Sequence, residues 1–419
     1  MHPTALLEAA TELVHRVLAF EQPADRMAAD FFRSQHALGA RDRHVVSETV
    51  FALLRRLPTF RHLAATGKGE PARRLAILAW QGNDGVLRAA LDDAERAWLE
   101  RCQAVDPASL PAALQHHLPE WLAATMQATL GPEFAAWAAS MDATAPLDLR
   151  VNVAKSSRDE VLVALANDGI AAVPTPYSPV GIRVAGKPSL LKHALFTSGA
   201  VEVQDEGSQL LALLTGAKRG EMVVDFCAGA GGKTLALGAQ MRNTGRLYAF
   251  DISGHRLAAL KPRLARSGLA NVHPAQIAHE RDDRVKRLTG KIDRVLVDAP
   301  CTGLGTLRRH PDLKWRQSPA TLAGLAEVQR NILASASRLL KPGGRLVYAT
   351  CSPIEAEDEA VARDFDAAHG GDFEPLPILD ALQRAHVDGG ETLVSGPYLR
   401  LWSHRHGTDC FFAAAWQRH

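Results

Sequence analysis

From Val201 onward, short apolar runs alternate with amphipathic stretches, and this alternation constrains the fold more than any other feature of the sequence. It is typical of a parallel sheet, because parallel neighbours need a crossover connection, usually a helix. The predicted strands are Met222–Phe226, Arg246–Asp251, Arg294–Asp298 and Arg345–Thr350. The predicted crossover helices are Lys233–Met241, Gly254–Ser267 and Pro319–Leu340. The sequence therefore predicts an α/β domain over residues 201–419.

Two further regions precede this domain. Residues 1–140 carry apolar side chains at helical spacing, as in Leu6, Ala10, Leu13 and Val17, which predicts an all-helical domain. Residues 143–200 combine an alternating stretch, a helical pattern over Arg158–Asn167 and more strand-like sequence, which predicts a small α+β module. A chain of 419 residues exceeds what one hydrophobic core usually serves, so several domains are expected.

Charge and cysteine usage exclude some classes of protein. The formal net charge is +2, so any affinity for nucleic acid must come from local patches. The five cysteines are far apart and form no CxxC pair, which argues against a zinc site or a disulfide scaffold and favours the reducing cytoplasm. We expect no bound metal. The N-terminal apolar stretch contains Glu8 and Glu12, and no run of eighteen apolar residues occurs, so neither an export signal nor a membrane span is expected.

A glycine-rich turn follows the first predicted strand and leads into the next helix. Its residues are Cys227, Ala228, Gly229, Ala230, Gly231, Gly232 and Lys233. A phosphate-binding P-loop would need glycine at position 227 and a dinucleotide fingerprint would need it at position 234, so both patterns are incomplete. Asp251 ends the next strand, where a carboxylate can accept hydrogen bonds from both ribose hydroxyls of a nucleoside. This pairing suits adenosylmethionine and NAD equally, and a tight turn with a helix-capping Asp251 is the plain structural alternative.

Two later strands end close to a cysteine. One runs through Asp298 to Cys301, and the other through Thr350 to Cys351. Open α/β sheets build their active sites at the carboxyl ends of parallel strands. A lone cysteine is usually a small buried hydrophobe, but proline, glycine and serine flank these two. Both cysteines are therefore candidates for chemistry.

These segments resemble motifs of the RNA cytosine-5 methyltransferases. The matching stretches read FCAGAGGKT at 226–234, DAPCTG at 298–303 and ATCSP at 349–353. The resemblance continues with QDEGSQ at 204–209, KPGG at 341–344 and HRHGTD at 404–409. Upstream, LRVN at 149–152 resembles the family's small RNA-recognition-like module, and the helical first third, with RDR at 41–43, resembles NusB. This domain order is similar to the bacterial Sun or Fmu type, which modifies small-subunit ribosomal RNA.

The resemblance implies a Rossmann-like class I methyltransferase domain that uses S-adenosyl-L-methionine. The glycine-rich turn, Asp251 and Asp298 would bind this cofactor. Cytosine C5 is a weak nucleophile, so a thiolate must first add to C6, and the family assigns this attack to the cysteine of TCS, which is Cys351. The cysteine of PC, Cys301, would serve product release. Asp298 would hydrogen-bond the cytosine edge, in protonated form at N3, and Lys233 would orient Asp298 or lower a thiol pKa unless it is an ordinary first-turn lysine.

Two positions near the adenine and two departures from the family pattern remain open. The acidic residue expected beside the adenine is Asp282 by character, whereas spacing from Asp298 points to His279. Ala230 stands where the family commonly has proline, which should alter the stiffness of the turn. Cys410 stands where glycine is usual.

RNA is the expected partner, and a monomer is the expected state. The predicted RNA contacts are Arg308, Arg309, Lys314, Trp315 and Arg316 after Cys301, and Arg41 and Arg43 in the helical region. Such a charge run is otherwise most often a solvated face. The alternatives are a transfer-RNA substrate, a DNA cytosine-5 methyltransferase in which the PC cysteine attacks, and a non-catalytic assembly factor that keeps the fold.

Overall fold

The computed structural model describes residues 1–186 and 188–419. The chain folds into two compact units, and each unit is made of two stretches of sequence. The helical unit is Met1–Thr144 with Thr306–Pro319, and the sheet unit is Ala145–Gly305 with Ala320–His419. None of the helices in this described part of the chain has the length and apolar character that a transmembrane span requires.

Helices make up the first stretch of the helical unit, as predicted. They are α1 (Pro3–Val17), α2 (Ala24–Ser34), α3 (Ala40–Arg55), α4 (Leu57–Ala64), α5 (Pro71–Leu78), α6 (Asp84–Ala90), α7 (Asp93–Gln103), α8 (Ala112–Gln115), α9 (Glu120–Leu130) and α10 (Phe134–Asp142). In α1 the apolar stripe that includes Leu6, Leu13 and Val17 is buried. Its burial against α3 and α5 explains the 3.6-residue periodicity of this region.

The second stretch of the helical unit, Thr306–Pro319, is anchored to the end of α3. The Lys314 ammonium donates to the carbonyl of Arg55 at 2.8 Å, and the Trp315 indole donates to the carbonyl of Leu54 at 2.7 Å. The last carbonyls of a helix have no intrahelical partner, and a cation there also interacts favourably with the helix dipole. The segment therefore completes the C-terminus of α3.

This placement corrects the predicted RNA-binding run. Lys314 is 2% exposed and Arg308 is 6% exposed, so neither presents its charge to a phosphate on the surface of this unit. Arg309, Trp315 and Arg316 are half-buried, and Arg316 lies 3.4 Å from the Asp312 carboxylate. Arg308 and Lys314 are thus internal to the protein, whereas Arg309, Trp315 and Arg316 keep part of their surface accessible.

The sheet unit begins with a small antiparallel sheet, which confirms the predicted α+β character. Its elements are β1 (Leu147–Val151), α11 (Arg158–Asn167), β2 (Ala172–Pro174), β3 (Gly181–Val184), α12 (Ala194–Thr197) and β4 (Val201–Val203), with strand order β2-β3-β1-β4. Because Val201 and Val203 pair with β1, the small sheet continues past residue 200, where the predicted module ended. The sequence did not predict this boundary because β4 is as apolar as the strands of the large sheet that follow it.

A large mixed sheet forms the rest of the unit. Its strands are β5 (Met222–Asp225), β6 (Arg246–Asp251), β7 (Val272–Gln276), β8 (Ile292–Asp298), β9 (Leu340–Thr350), β10 (Phe373–Pro375), β11 (Val394–Ser395), β12 (Tyr398–Leu401) and β13 (Phe411–Arg418). The helices are α13 (Glu206–Thr215), α14 (Gly232–Gln240), α15 (Gly254–Ser267), α16 (Asp283–Lys286), α18 (Pro319–Ser337), α19 (Glu359–His369), α20 (Ile378–Arg384) and α21 (Ser403–His406); α17 (Leu313–Arg316) belongs to the helical unit. The predicted strands and crossover helices are confirmed to within a few residues at their ends.

Strand order in the large sheet is β11-β12-β13-β9-β8-β5-β6-β7, with β10 beside β13. Strands β5 to β9 run parallel, whereas β13 is antiparallel to β9. Both faces are covered: Val223 and Leu296 pack with α13 to α15, while Val224 and Val297 pack with α18 and α19. Two-sided burial explains why these strands are continuous apolar runs.

The buried Lys314 predicts a pH dependence of stability. Burial lowers its pKa to about 8, although Asp142 partly opposes this shift. An unfolded lysine has a pKa of about 10.4. Between these values the unfolded chain binds more protons, so the contribution of Lys314 to stability rises with pH and is lost as the pH falls through 8.

We expect the free energy of unfolding of wild type relative to Lys314→Met to increase by about 3 kcal/mol between pH 7 and pH 10.5. Urea unfolding of the full chain, followed by tryptophan fluorescence, measures this difference. Lys68→Met, which replaces an exposed lysine of the same unit, is the control and should give parallel profiles. Parallel profiles for Lys314→Met as well would contradict the burial of its charge.

Candidate active site

Parallel pairing brings the carboxyl ends of β5, β6, β8 and β9 to one edge of the large sheet. The residues at these ends open onto a cleft of about 450 Å³, a size suited to a small-molecule ligand. The cleft is lined by Phe226, Cys227, Asp251, Ile252, Arg256, Ile277, Ala278, His279, Glu280, Asp298, Ala299, Pro300, Cys301, Val328, Ile332 and Cys351. Asp251, Asp298 and the two candidate cysteines therefore meet in one place.

The glycine-rich turn is shaped by left-handed backbone at Gly229 (φ +55°) and Gly231 (φ +84°). At Gly231 an added Cβ would lie 2.1 Å from Cδ1 of Leu260, so the turn is pressed against α15. The amide of Gly229 donates to the Asp251 carboxylate at 2.8 Å, and the amide of Ser253 donates to its other oxygen at 2.7 Å. Asp251 is therefore fixed in place at the end of β6.

This part of the cleft fits a nucleoside. Each Asp251 oxygen keeps a lone pair beyond its backbone hydrogen bond, and ribose hydroxyls can donate to these lone pairs. Phe226, Ile252 and Ile277 supply an apolar wall suited to an adenine ring. The accepting oxygens of Asp251 and the apolar wall together match the nucleoside part of the cofactor that the resemblance implied.

Asp282 and His279, the two residues expected beside the adenine, lie just before α16. Asp282 is the N-cap residue just before this helix, and its carboxylate accepts hydrogen bonds from the amides of Ala278 at 2.9 Å and Arg284 at 2.8 Å. These bonds lower the pKa of Asp282, and it is not among the described residues that line the cleft. Asp282 therefore caps α16 with both of its carboxylate oxygens, whereas His279 is exposed and lines the cleft.

Two arginines of α15 act on the turn and were missed by sequence reasoning. Arg263 donates to the carbonyl of Ala230 at 2.7 Å and to the buried Glu202 carboxylate at 3.0 Å. Arg256 lines the cleft, with Nη1 at 3.8 Å from the Asp251 carboxylate. Because Glu202 belongs to β4, the small sheet helps to hold the turn at the position where the family commonly has proline. A salt bridge between residues 61 apart leaves no local signal in the sequence.

Lys233 pairs with Asp298 at 2.8 Å across the base of the cleft. Burial alone would lower the pKa of Lys233, but the adjacent Asp298 carboxylate outweighs it and a thiolate at Cys351 would add to this effect, so the pKa is raised. Below this pair, burial raises the pKa of Asp225 to about 7, although Thr234 donates to its carboxylate at 2.6 Å. Lys233 is thus a charged partner of the site and not an ordinary first-turn lysine.

The two candidate thiols touch each other. The Sγ atoms of Cys301 and Cys351 are 3.4 Å apart. The hydrogen bond with Cys351, together with burial, raises the pKa of Cys301 well above its ordinary value. The contact with Cys351 and the burial therefore both favour the protonated thiol of Cys301.

Glycine at position 305 allows the two cysteine loops to approach. The Gly305 amide donates to the carbonyl of Cys351 at 2.9 Å, and the Cys410 amide donates to the carbonyl of Gly305 at 3.0 Å. An added Cβ at Gly305 would lie 2.3 Å from the Cys410 carbonyl oxygen. Cys410, which stands where the family usually has glycine, is fully buried next to β13. Its side chain is not part of the cleft lining.

The remaining predicted contacts lie in the helical unit. Arg41 is exposed at the start of α3. Arg43 donates to the carbonyl of Leu38 at 2.9 Å and lies over the Phe32 ring, so it also closes the turn between α2 and α3. Within the described residues no group of three or more histidine, cysteine or acidic side chains is arranged to hold a metal ion.

Comparison with known proteins identifies the family. A family model described as 16S rRNA methyltransferase RsmB/F matches residues 212–417. The chain is 33% identical to the probable ribosomal RNA small subunit methyltransferase B of Synechocystis over 80% of this chain and 74% of that protein. The chain belongs to the RsmB/F family of rRNA methyltransferases. A second model, for the ferredoxin-like domain of RsmF/B-like methyltransferases, matches residues 118–190 and so includes β1 to β3.

Other relatives and solved structures agree with this assignment. A putative methyltransferase of Mycobacterium tuberculosis is 39% identical over 80% of this chain and 71% of that protein. The crystal structure of PH0851 has the same fold, with a TM-score of 0.80, 24% identity and 99% coverage of both chains. The crystal structure of a methyltransferase homolog from Pyrococcus horikoshii has a TM-score of 0.63 and 27% sequence identity, and the match covers 75% of this chain and 100% of that one. The predicted Rossmann-like fold, family and cofactor are confirmed, and the RsmB/F chain is an S-adenosylmethionine-dependent RNA methyltransferase.

The close contact at Gly231 predicts weaker cofactor binding when a methyl group is added there. Gly231→Ala combines left-handed strain with the overlap against Leu260. We expect it to weaken the binding of S-adenosylmethionine by about tenfold or more, measured by calorimetry on the full chain. Gly220→Ala is the matched control, because Gly220 has φ +79° but open space around its Cβ position. Equal affinities for the two variants would contradict the role of the Leu260 contact.

Proposed function

We propose that this RsmB/F chain methylates C5 of a cytosine in small-subunit ribosomal RNA, through a covalent bond between Cys351 and C6 of the base. The observation that carries the proposal is the 3.4 Å contact between the Cys301 and Cys351 thiols in the cleft that also holds Asp251 and Asp298. Methyl transfer to a nitrogen or a hydroxyl would need no thiol. Two thiols in contact suit a reaction in which one attacks carbon and the other assists its departure.

Attack begins from a thiolate on Cys351. The Lys233 ammonium stabilises this charge, and the raised pKa of Cys301 keeps the second thiol protonated. The Asp298 carboxylate accepts a hydrogen bond from the cytosine amino group and orients the ring. This differs from the protonated Asp298 expected at N3, because Lys233 donates to one oxygen of the side chain. The Cys351 sulfur then forms a bond to C6, and the electron pair of the C5–C6 double bond becomes available at C5. Bound S-adenosylmethionine supplies an electrophilic methyl group to that carbon.

Release reverses the covalent step. C5 loses its proton, the C5–C6 double bond forms again, and the bond from C6 to the Cys351 sulfur breaks with its electron pair on sulfur. Cys301, 3.4 Å away, donates its proton to the departing sulfur and receives the proton that C5 gives up. The Cys351 thiol then gives its proton to solvent and becomes the thiolate again, so the balance is one 5-methylcytosine, one S-adenosylhomocysteine and one proton released.

Ribosomal RNA as the substrate is supported by the relatives, which include a ribosomal RNA small subunit methyltransferase B of Sodalis glossinidius at 32% identity. We propose that the protein acts on this RNA as a cytoplasmic monomer, with exposed Arg41 and the less buried Arg309, Trp315 and Arg316 as its contacts. His279 is proposed to face the adenine. Transfer RNA and a non-catalytic assembly role are the alternatives, and the intact thiol pair favours catalysis over the latter.

Replacing the cysteines one at a time tests the assignment of roles. Cys351→Ala should abolish both methyl transfer and the covalent protein–RNA species, because the variant lacks the sulfur that bonds to C6. Cys301→Ala should leave the attack intact and accumulate the covalent species, visible as a slower band on a denaturing gel. The opposite pattern would assign the attack to Cys301, as in DNA cytosine-5 methyltransferases.

The position of methylation has its own test. Small-subunit ribosomal RNA that carries tritium at cytosine C5 should release one tritium per methyl group transferred, because C5 exchanges hydrogen for methyl. Bisulfite sequencing of RNA from cells that lack the protein then locates the base. Methyl transfer without tritium release would exclude C5, and transfer to transfer RNA alone would replace the proposed substrate.

A further inference from the structure

A buried carboxylate lies beneath the Cys301 loop. Glu357 ends the short 3-10 turn Glu355–Glu357 and is fully buried. One of its oxygens accepts a hydrogen bond from the Thr302 amide at 2.8 Å, and the other accepts one from the Thr302 hydroxyl at 2.6 Å. Both donors of the residue that follows Cys301 therefore point at one side chain.

The same carboxylate reaches the other side of Cys301 through α18. The Gln329 side-chain amide donates to Glu357 at 3.0 Å and to the carbonyl of Pro300 at 2.9 Å. Gln329 is also fully buried. The residues on both sides of Cys301 are thus held by a single network centred on Glu357.

Glu357 belongs to the chain segment that carries the other thiol. It lies six residues after Cys351, its amide donates to the carbonyl of Ile354 at 3.0 Å, and its carbonyl accepts a hydrogen bond from the Tyr348 hydroxyl of β9. Its side chain therefore ties the Cys301 loop to the Cys351 loop. Burying a carboxylate is costly unless donors compensate, so this position is one where a neutral residue would be expected if packing alone mattered.

We propose that Glu357 is a positioning residue that holds the Cys301 thiol against Cys351, and that it acts on release of the methylated base and not on attack. The inference rests on the proposed function, because it needs Cys301 to serve release. Attack needs only Cys351, whose loop is held separately by the Thr350 and Arg400 contacts to Asp358. Loss of the Glu357 contacts should therefore affect the two steps unequally.

Glu357→Gln tests this inference at nearly constant volume. If the new amide group faces the Thr302 and Gln329 amides, a donor meets a donor; if it faces the Thr302 hydroxyl, that hydroxyl must accept instead of donate. In both cases the charge-assisted hydrogen bonds that anchor the Cys301 loop are lost. We expect the covalent protein–RNA species to accumulate about tenfold over wild type at steady state. The single-turnover rate at which this species forms should stay within about threefold of wild type.

Glu355→Gln is the matched control, because Glu355 lies on the same turn, is exposed and pairs with Arg363. It should match wild type in both measurements. Thermal unfolding and S-adenosylmethionine binding establish that each variant is folded. If Glu357→Gln does not fold, Thr302→Val decides the question, since it removes only the hydroxyl donor and should still accumulate the covalent species.

Cys301→Ala, assayed in parallel, separates the two possible failures. If Cys301→Ala accumulates the covalent species but folded Glu357→Gln or Thr302→Val does not, the positioning role is overturned. The same holds if Glu357→Gln slows formation of the species and overall turnover by equal factors. If Cys301→Ala itself accumulates nothing, the release role of Cys301 fails and with it the proposed function.

Discussion

Parallel pairing of β5, β6, β8 and β9 is the constraint on which the site depends. Each strand carries its functional residue at or just beyond its carboxyl end. Because Asp298 pairs with Ala349, the loops that carry Cys301 and Cys351 leave the sheet side by side. A shift of one residue between β8 and β9 would turn alternate side chains to the other face and separate the thiols. The apolar layers on both faces of the sheet oppose such a shift, so the core that stabilises the fold also maintains the catalytic geometry.

Two adjacent acidic residues support the two cysteine loops. Glu357 holds the loop of Cys301, whereas Asp358 accepts from the Thr350 hydroxyl and from Arg400 at 2.6 Å, next to Cys351. Burial raises the pKa of Asp358 to about 8, against the opposing effect of Arg400. The Glu357 carboxylate therefore supports the Cys301 loop, and the Asp358 carboxylate supports the Cys351 loop. The proposed division of work between attack and release would thus correspond to two neighbouring acidic residues at the end of one short turn.

Local signals in the sequence predicted most of the catalytic sheet. Strands flanked by glycine, proline and cysteine are short-range patterns, and the chain order of β5, β6, β8 and β9 is also the order of the site residues. The burial of Lys314 was not predictable, because its partners Arg55 and Asp142 are more than 170 residues away and a basic run is usually solvated. The cap formed by Asp282 was not predictable for a related reason: an acidic residue before a short helix is equally typical of a cap and of a ligand.

The excursion of Thr306–Pro319 into the helical unit has a consequence for how the protein can be divided. The chain passes between the units at Thr144, at Gly305 and at Pro319, so no single cut releases either unit whole. A fragment that starts at Ala145 would keep the Lys314 ammonium and the Trp315 indole but lose the carbonyls of Arg55 and Leu54 that they bind. Exchange of the first domain between relatives would meet the same obstacle. The helical unit is therefore a discontinuous module that includes the segment after the Cys301 loop, and it cannot be separated as an N-terminal fragment without losing that segment.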